Sequence, residues 1–145
     1  MPHVIIEYSA NVAEHHDIDE LVEVVHAAAL ADGLPALDAL RTRAEERTAF
    51  RVADGAETNA FVAIHARIGP GRDADAKQRF IAAVLDAAEA HLTGGPLDPS
   101  PLDPPPLDIA WSIELTEIDP EFRINRNHVR PAIARRAALD EQEGA

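Results

Sequence analysis

Cysteine is absent from the 145 residues, and lysine, methionine, tryptophan and tyrosine each occur once. Without cysteine there is no disulfide, no thiolate nucleophile and no cysteine-ligated zinc, which fits a reducing compartment. No apolar run approaches the roughly 20 residues needed to span a bilayer, and no basic segment followed by an apolar one opens the chain. The expectation is a soluble, cytoplasmic protein with no membrane partner. Gly-X-Gly-X-X-Gly and phosphate-loop patterns are missing too, so nucleotides have no support. Positive charge is scarce: 13 basic residues face 26 acidic ones, for a net charge of −13. Phosphate backbones require a basic face, so nucleic acid is excluded as a partner.

The basic charge that is present takes one form. Lys77 is the single lysine, and the other 12 of the 13 basic residues are arginine. Guanidinium groups bind carboxylate and phosphate bidentately, so arginines in an acidic chain suggest local recognition of anions. The alternative is the compositional bias of an Ala- and Arg-rich genome.

A length of 145 implies one domain, residues 1–145, able to bury roughly two-thirds of its unfolded surface. Pro2 to Tyr8 is β-branched and aromatic and ends at the turn signal Ser9-Ala10-Asn11, which predicts a strand starting at the second residue. Asp17 with Glu20 opens a helix whose apolar stripe is Ile18, Leu21, Val22, Val25 and Ala29, and Gly33 with Pro35 closes it. Residues 39–52 read as extended. Asn59 to Ile68 alternates as a strand, with Val62, Ile64, Ala66 and Ile68 on one face and Phe61, Ala63, His65 and Arg67 on the other. Gly69-Pro70-Gly71 and Asp73 lead into a second helix striped by Phe80, Ile81, Val84, Leu85, Ala88 and Leu92. Ile109, Trp111, Ile113 and Leu115 mark a last strand. The expected fold is α+β, two βαβ units forming a four-stranded sheet with both helices on one face. The other face is then bare, which predicts a homo-oligomer.

Two segments fall outside this plan. Residues 95–107 carry three Pro-Leu-Asp triplets, beginning at Pro96, Pro101 and Pro106, and read as an inserted connector or, alternatively, a docking loop. The tail from Val129 reads as a short helix fraying over residues 138–145.

Pro2 is the candidate of most chemical interest. A small second residue normally permits removal of Met1, which would leave proline's secondary amine as the N-terminus. The reference pKa of an α-amine is roughly 8, and burial and nearby cations lower it toward neutrality. Proton transfer needs such a base. A retained Met1 would block it. Candidate anion-binding residues are Arg41 and Arg43, which share a strand face, and Arg72, which precedes a helix N-terminus; Arg67 closes the strand before it. Each is alternatively a surface arginine paired to a carboxylate. His15-His16-Asp17 has the letters of a metal site, but adjacent ligands at a helix start rarely converge, so no metal is expected. His26 and His91 read as helix-face residues, and His65 as lining a pocket or an interface.

The opening Met1-Pro2-His3-Val4-Ile5-Ile6-Glu7, the triplet Arg41-Thr42-Arg43, Ala53-Asp54-Gly55, Ala60-Phe61-Val62, Ile68-Gly69-Pro70-Gly71-Arg72 and Asn127-His128-Val129 occur in an order and spacing that resemble the tautomerase superfamily. In detail they resemble the 5-carboxymethyl-2-hydroxymuconate Δ-isomerase family, over roughly residues 2–93 and 108–129. The resemblance implies a homotrimer of tautomerase-like protomers that needs no cofactor. It implies Pro2 as the acid–base that converts a dienol to a conjugated ketone in aromatic-compound catabolism. Arg41 and Arg72, with Arg43 as a weaker addition, would bind a small anionic di- or tricarboxylate. The Pro-Leu-Asp insert, the long tail, and Ala44-Glu45-Glu46 in place of the family's aromatic residues depart from the pattern. These departures keep two alternatives open: another enol or halogenated acid as substrate, or a non-catalytic assembly module.

Overall fold

The computed structural model describes residues 2–93 and 106–144. Strand β1 (His3–Ser9) leads through a short helix α1 (Ala10–His15) into α2 (Ile18–Asp32) and strand β2 (Arg41–Arg47). The second unit is β3 (Asn59–Ile68), α3 (Ala74–Thr93) and β4 (Asp108–Glu117), followed by a 3-10 turn at Pro120–Phe122 and helix α4 (Val129–Glu143). The strands form one sheet in the order β2-β1-β3-β4. Pairing is parallel within each unit and antiparallel between β1 and β3 at the centre. Parallel neighbours need a crossover, and α2 and α3 supply the two crossovers, packed on each other over one face of the sheet.

Side-chain polarity fixes the helix ends. The Asp17 carboxylate accepts from the Glu20 N–H at 3.2 Å, and Asp73 does the same for Ala76 at 2.8 Å, each satisfying an otherwise orphaned donor of the first turn. Gly33 ends α2 with φ of 86°, a left-handed conformation open to glycine at no steric cost.

Strand alternation places Val4, Ile6 and Tyr8 of β1 and Val62, Ile64 and Ile68 of β3 under the helices. There they meet Leu21 and Val25 of α2 and Phe80 and Val84 of α3. The opposite face stays open. It carries His3, Ile5 and Glu7, then Phe61, Ala63, His65 and Arg67, and on the flanking strands Arg41, Arg43, Glu114 and Thr116. Arg47 bridges Glu7 at 3.3 Å and Glu45 at 2.8 Å there, exposed pairs that contribute little stability.

Three elements differ from the sequence expectation. Ser9-Ala10-Asn11 starts α1 instead of a simple turn, because Val12 is buried and the Asn11 amide donates to the Asn59 carbonyl at 2.9 Å. The extended stretch expected over 39–52 contracts to Arg41–Arg47, since β2 is an edge strand and lasts only as long as β1 runs beside it, from His3 opposite Arg41 to Ser9 opposite Arg47. The tail expected to fray from residue 138 is helical through Glu143. Of the Pro-Leu-Asp loop at 95–107, residues 95–105 lie outside the described residues, and Leu107 packs against the core. Among the described residues no helix is long and apolar enough to cross a membrane.

Phe80 is fully buried between sheet and helices. Phe80→Ala is expected to cost about 3–5 kcal/mol through lost transfer energy and a residual cavity. Urea denaturation measures it, and a loss below about 1 kcal/mol would contradict the packing.

Candidate active site

The site begins where β1 begins. Pro2 is buried, and its carbonyl accepts the Arg41 N–H at 3.1 Å, the first rung joining the N-terminus to β2. Alternation along β1 then sends Pro2 and His3 to opposite faces. Pro2 faces a cavity of about 300 Å³ walled by Leu34, Pro35, Ala36 and Ala39 of the loop after α2, and by Ile68, Gly69 and Pro70 after β3. Three arginines complete the lining: Arg72, Arg123 and Arg130. Among the described residues no aspartate or glutamate lines the cavity, so the pocket is positive inside a protein of net charge −13.

Each arginine is delivered by a different device. Gly71, with φ of 112°, turns the chain after Pro70 in a way only glycine accommodates readily. Arg72 follows it, and its Nη2 donates to the Leu34 carbonyl at 2.9 Å, which draws the turn and the α2–β2 loop together. Arg130 forms a two-point pair with Asp38, Nε to Oδ2 at 2.5 Å and Nη2 to Oδ1 at 3.5 Å. Asn127 secures the same junction: its amide donates to the Asp38 carbonyl at 2.8 Å, and its side-chain oxygen accepts from the Val129 N–H at 3.0 Å. The segment between β4 and α4 is thereby strapped across the pocket mouth, carrying Arg123 against Gly69.

Pro2 and Arg72 line the same cavity, whereas Arg41 and Arg43 lie elsewhere. Their side chains lie on the open face of the sheet around His3, which sits opposite both Arg41 on β2 and Arg67 on β3. The Arg43 guanidinium approaches His3 Nδ1 at 3.0 Å and that of Arg41 approaches Nε2 at 3.4 Å. A neutral imidazole has one acceptor nitrogen and an imidazolium none, so the shorter contact makes Nδ1 the acceptor. Burial, followed by the charges of Arg43, Arg41 and Arg67, holds the His3 pKa down at about 4.

Arg123 and Arg130 were not legible as pocket residues. Asn127-His128-Val129 marked their segment, but nothing local says that it folds back on the loop after α2. His65 bonds Thr116 at 3.1 Å on the open face, and His26 bonds Thr42 at 2.8 Å on the helix side. Among the described residues no group of three or more His, Asp or Glu could hold a metal ion.

A model of the 5-carboxymethyl-2-hydroxymuconate isomerase family matches residues 2–133. The chain belongs to that family, and it is an isomerase. A 5-carboxymethyl-2-hydroxymuconate Delta-isomerase of Escherichia coli is 29% identical over 129 residues, covering 89% of this chain and 96% of the relative. A crystal structure of a 5-carboxymethyl-2-hydroxymuconate delta-isomerase superposes with a TM-score of 0.76 at 18% identity, covering 92% of this chain and 93% of that one. A fused 4-OT, solved as a symmetric trimer, superposes with a TM-score of 0.57 at 18% identity, covering 86% of this chain and 93% of that one. The fold of this family member is thus the α+β tautomerase fold, with its mixed four-stranded sheet.

The His3 cluster generates a pH prediction. The folded pKa of about 4 lies below the unfolded value of roughly 6.5, so the unfolded chain takes up a proton that the folded one refuses. The His3 contribution is therefore intact above about pH 6.5 and declines as pH falls toward about 4. His3→Gln should remove this part of the pH dependence, read as the difference in urea midpoint between neutral and mildly acidic buffer for the two proteins. Equal shifts in both would contradict the assignment.

Proposed function

We propose that this isomerase acts without a cofactor on a dienol of the 2-hydroxymuconate type, 5-carboxymethyl-2-hydroxymuconate in particular, in aromatic-compound catabolism. The observation that carries the reading is the buried Pro2 facing a cavity that is lined by three arginines and, among the described residues, by no carboxylate. Removal of Met1 makes the Pro2 nitrogen a secondary amine. With Met1 in place it is an amide and no base. The free amine takes the proton of the substrate's 2-hydroxyl as the oxygen becomes a ketone. The double bonds shift along the chain, and the same proton is returned to the far end of the diene, so that one proton moves and no other group is consumed. The cations beside Pro2 disfavour its ammonium form and stabilise the dienolate as charge develops.

Arg72 holds a substrate carboxylate within this pocket. Arg41 and Arg43, on the other side of the same sheet edge, are the remaining proposed carboxylate ligands. The same reading makes the assembly a homotrimer. The uncovered face bearing Ile5, Phe61 and Ala63 supports this, as does the likeness in fold to the fused 4-OT trimer.

Intact mass of the purified protein is expected to lack one methionine. Pro2→Ala is expected to lower kcat on the dienol by about 100-fold or more, and Arg72→Ala to raise KM about tenfold or more. Full activity with Met1 retained would overturn the mechanism. Native mass spectrometry at micromolar protein should give three times the chain mass; a monomer there contradicts the assembly.

A further inference from the structure

Arg123 is the one residue from Glu121 to Arg126 that is not exposed, although its neighbours Phe122 and Ile124 are among the most exposed apolar side chains of the protein. A strand-to-helix connection that leaves phenylalanine and isoleucine in water while half-burying an arginine is the reverse of what hydrophobicity alone would select. The guanidinium lies over Gly69, where a built Cβ would stand 3.3 Å from Nη1, so the absence of a side chain there leaves the space that Arg123 occupies. It reaches the cavity of Pro2 and Arg72, yet no carboxylate among the described residues forms an ion pair with it. The other arginine contributed by the same segment differs in this respect. Arg130 is spent on Asp38, and that pair together with Asn127 fixes the strap that carries Arg123.

We propose that Arg123 is a specificity-determining residue that binds a second carboxylate of the substrate across the pocket from Arg72, in addition to the arginines already proposed as carboxylate ligands. This inference rests on the dienol reading above and deepens it. A chain of two or more carboxylates would then span the cavity, with one end on Arg72, the other on the fork of Arg123, and the dienol between them over Pro2. The Arg41 and Arg43 guanidiniums are directed at His3 on the opposite face, which leaves Arg123 to complete the pocket within this chain.

The test uses the full-length protein and two readouts. Calorimetric titration with tricarballylate, an inert tricarboxylate, is expected to show binding weakened about tenfold or more by Arg123→Ala. Arg135→Ala, which removes the same charge from the exposed face of α4, should stay within about twofold of wild type. Arg123→Lys keeps the charge and alkyl stem but lacks the fork, so it guards against misfolding and should lose affinity several-fold. In turnover, Arg123→Ala should raise KM for the tricarboxylate dienol with kcat nearly unchanged, and should leave a monocarboxylate enol unaffected. Wild-type-like tricarballylate binding by Arg123→Ala, a loss no larger than that of Arg135→Ala, or no binding by wild type at millimolar ligand would each overturn the proposal. Arg123-dependent binding in a protein that turns over no dienol would sustain this site and refute the dienol reading instead.

Discussion

The hydrogen bond from the Arg41 N–H to the Pro2 carbonyl, 3.1 Å long, sets the register on which the rest of the site depends. It fixes His3 opposite Arg41, and the antiparallel pairing on the other side fixes His3 opposite Arg67. Because side chains alternate along a strand, a slip of one residue would exchange the faces. It would put His3 in the cavity beside Arg72 and Pro2 among the open-face arginines. The slip is opposed by Val4, Ile6 and Tyr8, which would all leave the core with it. Placement of the N-terminus is therefore secured by hydrophobic burial several residues away, not by any contact of the pocket itself.

The same alternation divides the cations. Arg72, Arg123 and Arg130 gather on one side of the sheet end, and Arg41, Arg43 and Arg67 around His3 on the other. Carboxylates twice as numerous as basic groups could quench both clusters, yet among the described residues only Asp38 does so, and only for Arg130. His3 tolerates its neighbours by staying neutral and offering Nδ1 as an acceptor. The two clusters thus meet their charge differently: one through a histidine that gives up its proton, the other through open space able to receive an anion.

Much of this was legible in the sequence. Strand β3 could be read to the residue, because ten alternating positions buried on one side leave no freedom of phase. The polar caps Asp17 and Asp73 and the glycine at 33 fixed the helix ends for local reasons. Elements whose extent depends on a partner were not readable in the same way. Strand β2 stops with β1, and α1 forms because Asn11 finds a carbonyl 48 positions away in sequence. The association of Pro2 with Arg72 came from the family resemblance; in the fold, the antiparallel pairing of β1 with β3 puts the start of one and the end of the other at the same edge. Arg123 did not follow, since its position depends on Asn127 and Arg130 reaching Asp38 across 89 and 92 residues of chain.

That long-range strap bears on how the pocket keeps its shape. Helix α4 fully buries no residue, and only Ala132 and Ile133 are half-buried, so hydrophobic packing holds the segment weakly. An exposed ion pair such as Arg130 with Asp38 contributes little by itself. Asn127 changes the balance, because one side chain both donates to the Asp38 carbonyl and caps the first N–H groups of α4. Ordering that single amide therefore starts the helix and docks it in one step, and the ion pair then adds to a geometry already fixed. The positive pocket is built from a sheet edge that the core makes rigid and a strap whose position is set by a few polar contacts, with the arginines of each meeting over Pro2.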